Sequence, residues 1–174
     1  MAGNAEFEDK EGISELVSTC MRSNVGVLGA RSYYKNGTLE HAGCVIGMNG
    51  SAGSLFEHTL RGEKGYFSHI VTQMQYSAVA GACMMVKKDA FDKVKGFDEA
   101  YKGELGKVDL CLKIRNKHMS VVYNPYVKVM RWSNGLRNNE NDEKLFKKQW
   151  AEILEKDDPY YNKNLSLSVS GCNI

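Results

Sequence analysis

Within a dozen residues this chain gathers four carboxylates, Asp98, Glu99, Glu104 and Asp109. A carboxylate within hydrogen-bond reach of a ligand hydroxyl can take its proton as that hydroxyl attacks, which is general-base chemistry. The plainer reading is a solvated surface, with Asp109 in the first turn of a helix where negative charge complements the helix dipole. Upstream, Ala78, Ala80, Gly81, Ala82 and Cys83 form a run of small side chains. Small residues in a strand let another group approach the backbone closely, so a general base or an acceptor-binding carboxylate at a helix start beside this run is the sharper alternative. His41 lies in a Glu-His-Ala-Gly turn and reads as structural rather than catalytic.

Other chemistries find little support. Cys20, Cys44, Cys83, Cys111 and Cys172 are odd in number and widely spaced, without a C-x-x-C pair. Four of them sit among apolar neighbours, which reads as small buried thiols in a reducing compartment. His41, His58, His69 and His118 are not at ligand spacing, so no metal site is expected. The N-x-S/T triplets at Asn36, Asn49 and Asn164 read as chance, the first two being Asn-Gly turns. A net charge of +2, with basic residues scattered rather than clustered, gives no reason to expect nucleic acid. Ala78 to Val86, among the longest apolar stretches, is about half of what spans a bilayer, and no signal peptide is visible.

The elements that must position these groups follow from periodicity. At 174 residues the chain suits one domain without an internal boundary. Ile13, Leu16, Val17, Cys20 and Met21 recur at helical spacing, predicting a helix over 11–22. A strand follows from Val25 to Tyr34, then a tight turn at Lys35-Asn36-Gly37 and a second strand from Leu39 to Ile46. The five glycines between Gly47 and Gly65 mark a long loop. Ser77 to Val86 reads as a buried strand, and Asp89 as the cap of a short helix ending at Val94. Gly96-Phe97-Asp98-Glu99 is a loop presenting two carboxylates. Val108, Cys111, Leu112 and Arg115 open another helix that ends near Lys117. Val121–Tyr123 and Val127–Met130 are strands split by Asn124-Pro125. Asn141 can cap a last helix carrying Leu145, Phe146, Trp150, Ile153 and Leu154, stopped by Asp158-Pro159. Alternating helices and strands make the class α/β with a mixed sheet.

The order of these segments resembles a known family. Val25 to Ala30, Tyr33 to Gly43, Ala80-Gly81-Ala82-Cys83 to Phe91, and Gly96-Phe97-Asp98-Glu99 match, in order, runs typical of family 2 glycosyltransferases with the GT-A fold. Val108 to Arg115, Val121 to Pro125, and Asp158 to Ser166 follow in the family's order, so the resemblance covers about Ser14 to Ser168. It implies the C-terminal, acceptor-binding half of a partial GT-A fold whose N-terminal nucleotide-binding half is missing. The activity implied is transfer of a sugar from a nucleotide-diphosphate sugar to a hydroxyl of a glycan acceptor, in cell-surface polysaccharide or glycoconjugate synthesis. The resemblance suggests inversion, and a bacterial protein that is cytoplasmic or peripheral at the inner face of the membrane. The family's Asp-x-Asp motif holds a divalent metal (Mn or Mg) on the diphosphate. No Asp-x-Asp occurs in this chain, so that metal is expected only with the missing half.

The resemblance also supplies site residues, and two depart from the family pattern. The usual helix-start motif is Asp-Val-Asp, its first acid being the base, whereas this chain has Lys107-Val108-Asp109. A lysine serves as base at neutral pH only with a strongly lowered pKa. Where the family tends to place a metal-binding histidine, Arg131 stands, unable to ligate a metal but able to offset diphosphate charge. The candidates for catalysis are therefore Glu104, Glu99, Asp98 and Asp109, and those for substrate binding are Gly81, Ala82, Lys107, Arg131, Trp132 and Arg137. Trp132 is either a stacking platform for a sugar ring or core or rim packing. Arg137 is either near the diphosphate or a solvated loop residue. Three accounts stay open: a base from the carboxylate cluster with Arg131 replacing the metal's charge, a degenerate sugar-binding or assembly module, or a loop placed one residue differently. A piece of such a fold is expected to self-associate through its exposed sheet.

Overall fold

A mixed sheet lies between helices in the computed structural model, which describes residues 4–79, 81–132 and 138–168. Its centre is two long strands, β2 (Val25–Tyr34) and β8 (Ser120–Arg131), paired in parallel. Both are nearly continuous runs of buried residues, as expected of strands covered on both faces. Short strands flank them: β1 (Ala5–Phe7) and β6 (Met74–Gln75) pair antiparallel with β8, and β3 (Leu39–His41) and β7 (Met84–Val86) with β2. A separate hairpin joins β4 (Cys44–Ile46) to β5 (Ala52–Ser54).

The amphipathic pattern predicted over 11–22 is α1 (Gly12–Cys20), whose Leu16 packs on one face of the sheet with Leu28, Ala30, Val122, Val127 and Val129. The opposite face is covered by α3 (Leu105–Arg115), buried almost all round, with α4 (Glu140–Gln149) packed against it and hairpin residues in the same apolar cluster. The remaining helices are α2 (Lys88–Lys93) and α5 (Ala151–Leu154). The α/β class and the mixed sheet are as expected.

Several boundaries are corrected, each for a local reason. The strand expected over 39–46 is two strands in different sheets. Gly43 turns the chain between them at φ +107°, with the Tyr76 ring packed where a Cβ would lie. The loop expected over 47–65 contains β5 and one 3-10 turn at Met48–Gly50. Of the strand expected over 77–86 only β7 forms, because Gly81 breaks it in the left-handed region at φ +77°. β8 instead runs on through Asn124-Pro125: Ala30 pairs with Asn124 and Arg31 with Lys128, so the proline sits in a bulge where no ladder N–H is needed. Asp89 lies in the first turn of α2 rather than at its cap, which is Lys87. The cap of α4 is Asn139, whose side chain accepts from the Asp142 N–H at 2.9 Å, rather than Asn141. Asp109 is the fifth residue of α3, beyond its first turn, and is fully buried.

Candidate functional site

The site lies at the carboxyl ends of β2 and β8, where parallel strands of an α/β sheet leave room for ligands. Local chemistry builds it. Asn36 Oδ1 accepts from the Thr38 N–H at 3.0 Å, and the Tyr34 N–H donates to the Thr38 carbonyl at 2.8 Å. This Asx-type turn folds β3 back along β2 so that His41 pairs with Ser32 and Glu40 follows it to the strand end. Gly81 closes over the same place: a Cβ there would lie 2.8 Å from Ser32 Oγ and 2.9 Å from His41 Cβ. The start of α3 is held from across the site, since the Leu105 N–H donates to Asn138 Oδ1 at 2.9 Å.

Four side chains of alternating charge form the centre. Arg131 Nη1 donates to Glu40 Oε1, and Arg131 Nη2 lies 3.5 Å from Glu104 Oε1. Glu104 Oε2 accepts from Lys107 Nζ at 2.7 Å, and Lys107 Nζ also donates to the Gly81 carbonyl at 3.0 Å. Burial grades along this chain: the side chains of Arg131 and Glu40 are 6% and 7% exposed, those of Glu104 and Lys107 23% and 27%. Glu104 is therefore the carboxylate that a ligand can reach. Glu40 Oε2 and Arg131 Nε are enclosed without a hydrogen-bond partner among the described residues. Two carboxylates and two cations balance, so Arg131 offers no surplus positive charge.

The surroundings are polar but inert. His41 Nε2 accepts from the Gly43 N–H at 3.3 Å, which leaves the proton on Nδ1, 3.4 Å from Ser54 Oγ. Burial, with the Lys107 ammonium second, pushes this imidazole down to about 3, so it stays neutral. Cys44 Sγ is 3.8 Å from His41 Nδ1, but burial pushes its thiol up, and the pair is no nucleophile. At the rim Tyr34 donates to Glu57 Oε1 and stacks on His58, ring centroids 5.2 Å apart. Burial first, and the Glu57 bond second, push the Tyr34 phenol up.

Two curated proteins are similar to this chain. The chain is 34% identical to the uncharacterized protein y4gI of Sinorhizobium fredii (strain NBRC 101917 / NGR234) over 168 residues, covering 89% of this chain and 18% of the relative. It is 30% identical to the O-antigen biosynthesis protein RfbC of Myxococcus xanthus over 175 residues, covering 97% of this chain and 14% of the relative. The chain spans less than a fifth of either. No family model and no solved structure matches.

The structure brings together Glu104, Lys107, Arg131 and Gly81 from the sequence-derived candidates, with Ala82 next to them in the chain and buried. Asp98 and Glu99 stay in their loop: Asp98 Oδ1 accepts from the Ala100 N–H at 3.0 Å, and Glu99 is exposed. Asp109 points into the core, where Oδ1 accepts from Gln149 Nε2 at 2.9 Å and Trp150 Nε1 at 3.1 Å, and Oδ2 pairs with Lys113 at 2.7 Å. Trp132 is 51% exposed with its indole N–H on Glu6 Oε2 at 3.0 Å, so it is not core packing. Arg137 lies outside the described residues, as do Ala80 and Cys172. Sequence reasoning missed Glu40 as a site member. Only the register of β3 against β2 carries it to Arg131, and the Asn-Gly turn was the available signal.

Among the described residues no cluster of three or more His, Cys, Asp and Glu could hold a metal ion. The carboxylates that do gather, Glu40 and Glu104, are engaged by Arg131 and Lys107, so these residues do not fit a divalent Mn or Mg. Among the described residues no helix is long and apolar enough to cross a membrane.

Proposed function

We propose that this chain is the acceptor-side part of a nucleotide-sugar-dependent glycosyltransferase that builds cell-surface polysaccharide, with Glu104 as general base. One observation carries the reading: Glu104 is a half-open carboxylate held by Lys107 and Arg131 at the carboxyl ends of β2 and β8. The ordered resemblance to family 2 glycosyltransferases supports it. So does the likeness to a protein named for O-antigen biosynthesis. In this reading Lys107, standing where the family has its acid, anchors Glu104 against the Gly81 carbonyl and so positions the base. An acceptor hydroxyl gives its proton to Glu104 while its oxygen attacks the anomeric carbon, and the nucleoside diphosphate leaves with the bonding electron pair. A balanced row of charges with no surplus suits a neutral, hydroxyl-rich acceptor better than a diphosphate.

The test is Glu104→Gln in the full-length parent enzyme. Turnover falls about a hundredfold to ten-thousandfold while the acceptor Michaelis constant stays within a few-fold. Glu99→Gln and Asp98→Asn leave turnover near the parent's. Retained turnover in Glu104→Gln would remove Glu104 from the chemistry. The second reading is a binding-only module, favoured by a row of four side chains in which each charge is paired with a neighbour. It prevails if the parent transfers no sugar from any donor and Lys107→Asp restores transfer.

A further inference from the structure

Apart from the Glu104 cluster, β2 carries a buried charge with no ion-pair partner among the described residues. Arg31 is 9% exposed, and no carboxylate or carbonyl bonds its guanidinium among the described residues. Its Nε is enclosed and unpaired. A buried lysine could shed its proton, but a guanidinium cannot, so burial leaves a full positive charge in need of an anion. The neighbours deepen that need. Lys128 is the register partner of Arg31 on β8, so the two cations share one face of the sheet. Arg31 and Arg61 both lie against the Tyr33 ring, 5.8 and 4.8 Å from its centroid. Glu8, whose N–H bonds the Lys128 carbonyl, has its carboxylate taken by Arg61 at 2.5 Å. Glu8 is thus committed to Arg61, and neither Arg31 nor Lys128 has an ion pair among the described residues. Aromatic faces offset part of a guanidinium's desolvation, but they supply no hydrogen-bond acceptor.

We propose that Arg31, with Lys128 beside it, is an anion subsite that receives a carboxylate or phosphate group of the ligand. A planar fork beside an ammonium suits two oxygens of such a group. The inference stands whether or not Glu104 is the base, because it rests on a different cluster and is read by binding alone.

Calorimetric titration of the 174-residue chain with sodium phosphate and, separately, with glucuronate tests it. The parent binds at least one of the two, and Arg31→Met weakens that binding about tenfold to a hundredfold, the loss expected for charge-assisted hydrogen bonds. Without anions Arg31→Met unfolds at the same or higher denaturant, since it removes an unpaired buried charge. Arg31→Lys keeps the charge but loses the fork, and also binds more weakly than the parent, which decides the matter if the Met variant does not fold. Response to phosphate alone assigns a phosphoryl group, and response to glucuronate alone assigns an acidic sugar. Binding of neither anion by the parent, or equal binding by parent and both variants, overturns the proposal.

Discussion

Asp109 and Glu104 lie five residues apart in the chain and have opposite fates. The side chain of Asp109 is fully enclosed and ties α3 to the junction of α4 and α5 through Gln149 and Trp150. Removing one member of a buried charged network leaves its partners unsatisfied, at about 3–5 kcal/mol. Asp109→Ala should therefore cost about that much stability by urea unfolding, and a loss under about 1 kcal/mol would contradict the anchoring role. His41 predicts a pH dependence. In the folded chain its imidazole is held down to about 3, while the unfolded chain has the ordinary value of about 6.5. Between these values the unfolded state binds the extra proton, so stability is present above about pH 6.5 and is lost as pH falls towards 3. The slope is on the order of 1 kcal/mol per pH unit. Burial also lowers His69, with the same sign. Unfolding midpoints at pH 7, 6 and 5 should lie closer together for His41→Gln than for the parent, and equal spacing would show that His41 is not buried neutral.

At the scale of elements, the contact between α1 and the bulge of β8 is the joint most exposed to single substitutions. Asn124 is fully buried: its Nδ2 donates to Glu15 Oε1 at 2.8 Å and Thr19 Oγ1 at 3.2 Å, and its Oδ1 accepts from the Tyr126 N–H at 2.9 Å. One side chain thus serves both the helix and the irregular backbone around Pro125. Asn124→Ala leaves the Tyr126 N–H without its acceptor and takes one of two donors from the half-buried Glu15 carboxylate, which keeps Thr19 Oγ1, for an expected loss of about 1–3 kcal/mol. Asn124→Asp should cost at least as much, because it sets a second carboxylate against Glu15. Comparable stability of the Asp variant and the parent would show that Glu15 does not accept that bond.

For the molecule as a whole, the apolar surface is not where a sheet fragment would show it. Both faces of the central sheet are covered, and the flanking strands have only two or three residues. Short edges template little further pairing. Instead Ile13, Val17 and Met21 line the outer side of α1 at four-residue spacing, 57%, 43% and 76% exposed. Self-association, if driven by exposed apolar surface, should run through α1. Light scattering behind size-exclusion chromatography should show the parent chain associating and Val17→Lys with Met21→Lys shifting it towards monomer. A monomeric parent, or an unchanged assembly in the double variant, would refute this.

What the sequence alone determined is what short-range chemistry controls. The α1 stripe, the full extent of β2, the Asn-Gly turn and the α/β class follow from periodicity and turn residues, whose physics acts within a few positions. Periodicity did not pick out Glu104, Lys107 and Arg131; the clustering of carboxylates raised the first, and the resemblance to family 2 glycosyltransferases raised the other two. Tertiary structure decided everything that depends on register and burial. It joined β8 across Asn124-Pro125 because the parallel partner β2 could absorb a bulge. It enclosed Asp109 and left Glu104 partly open, although the two acids are close in sequence, at the cap and in the body of α3. It delivered Glu40, a residue of another strand, to Arg131, and left Arg31 buried without a counter-charge. Burial and pairing are set by residues far apart in the chain, and neither composition nor spacing encodes which of them meet.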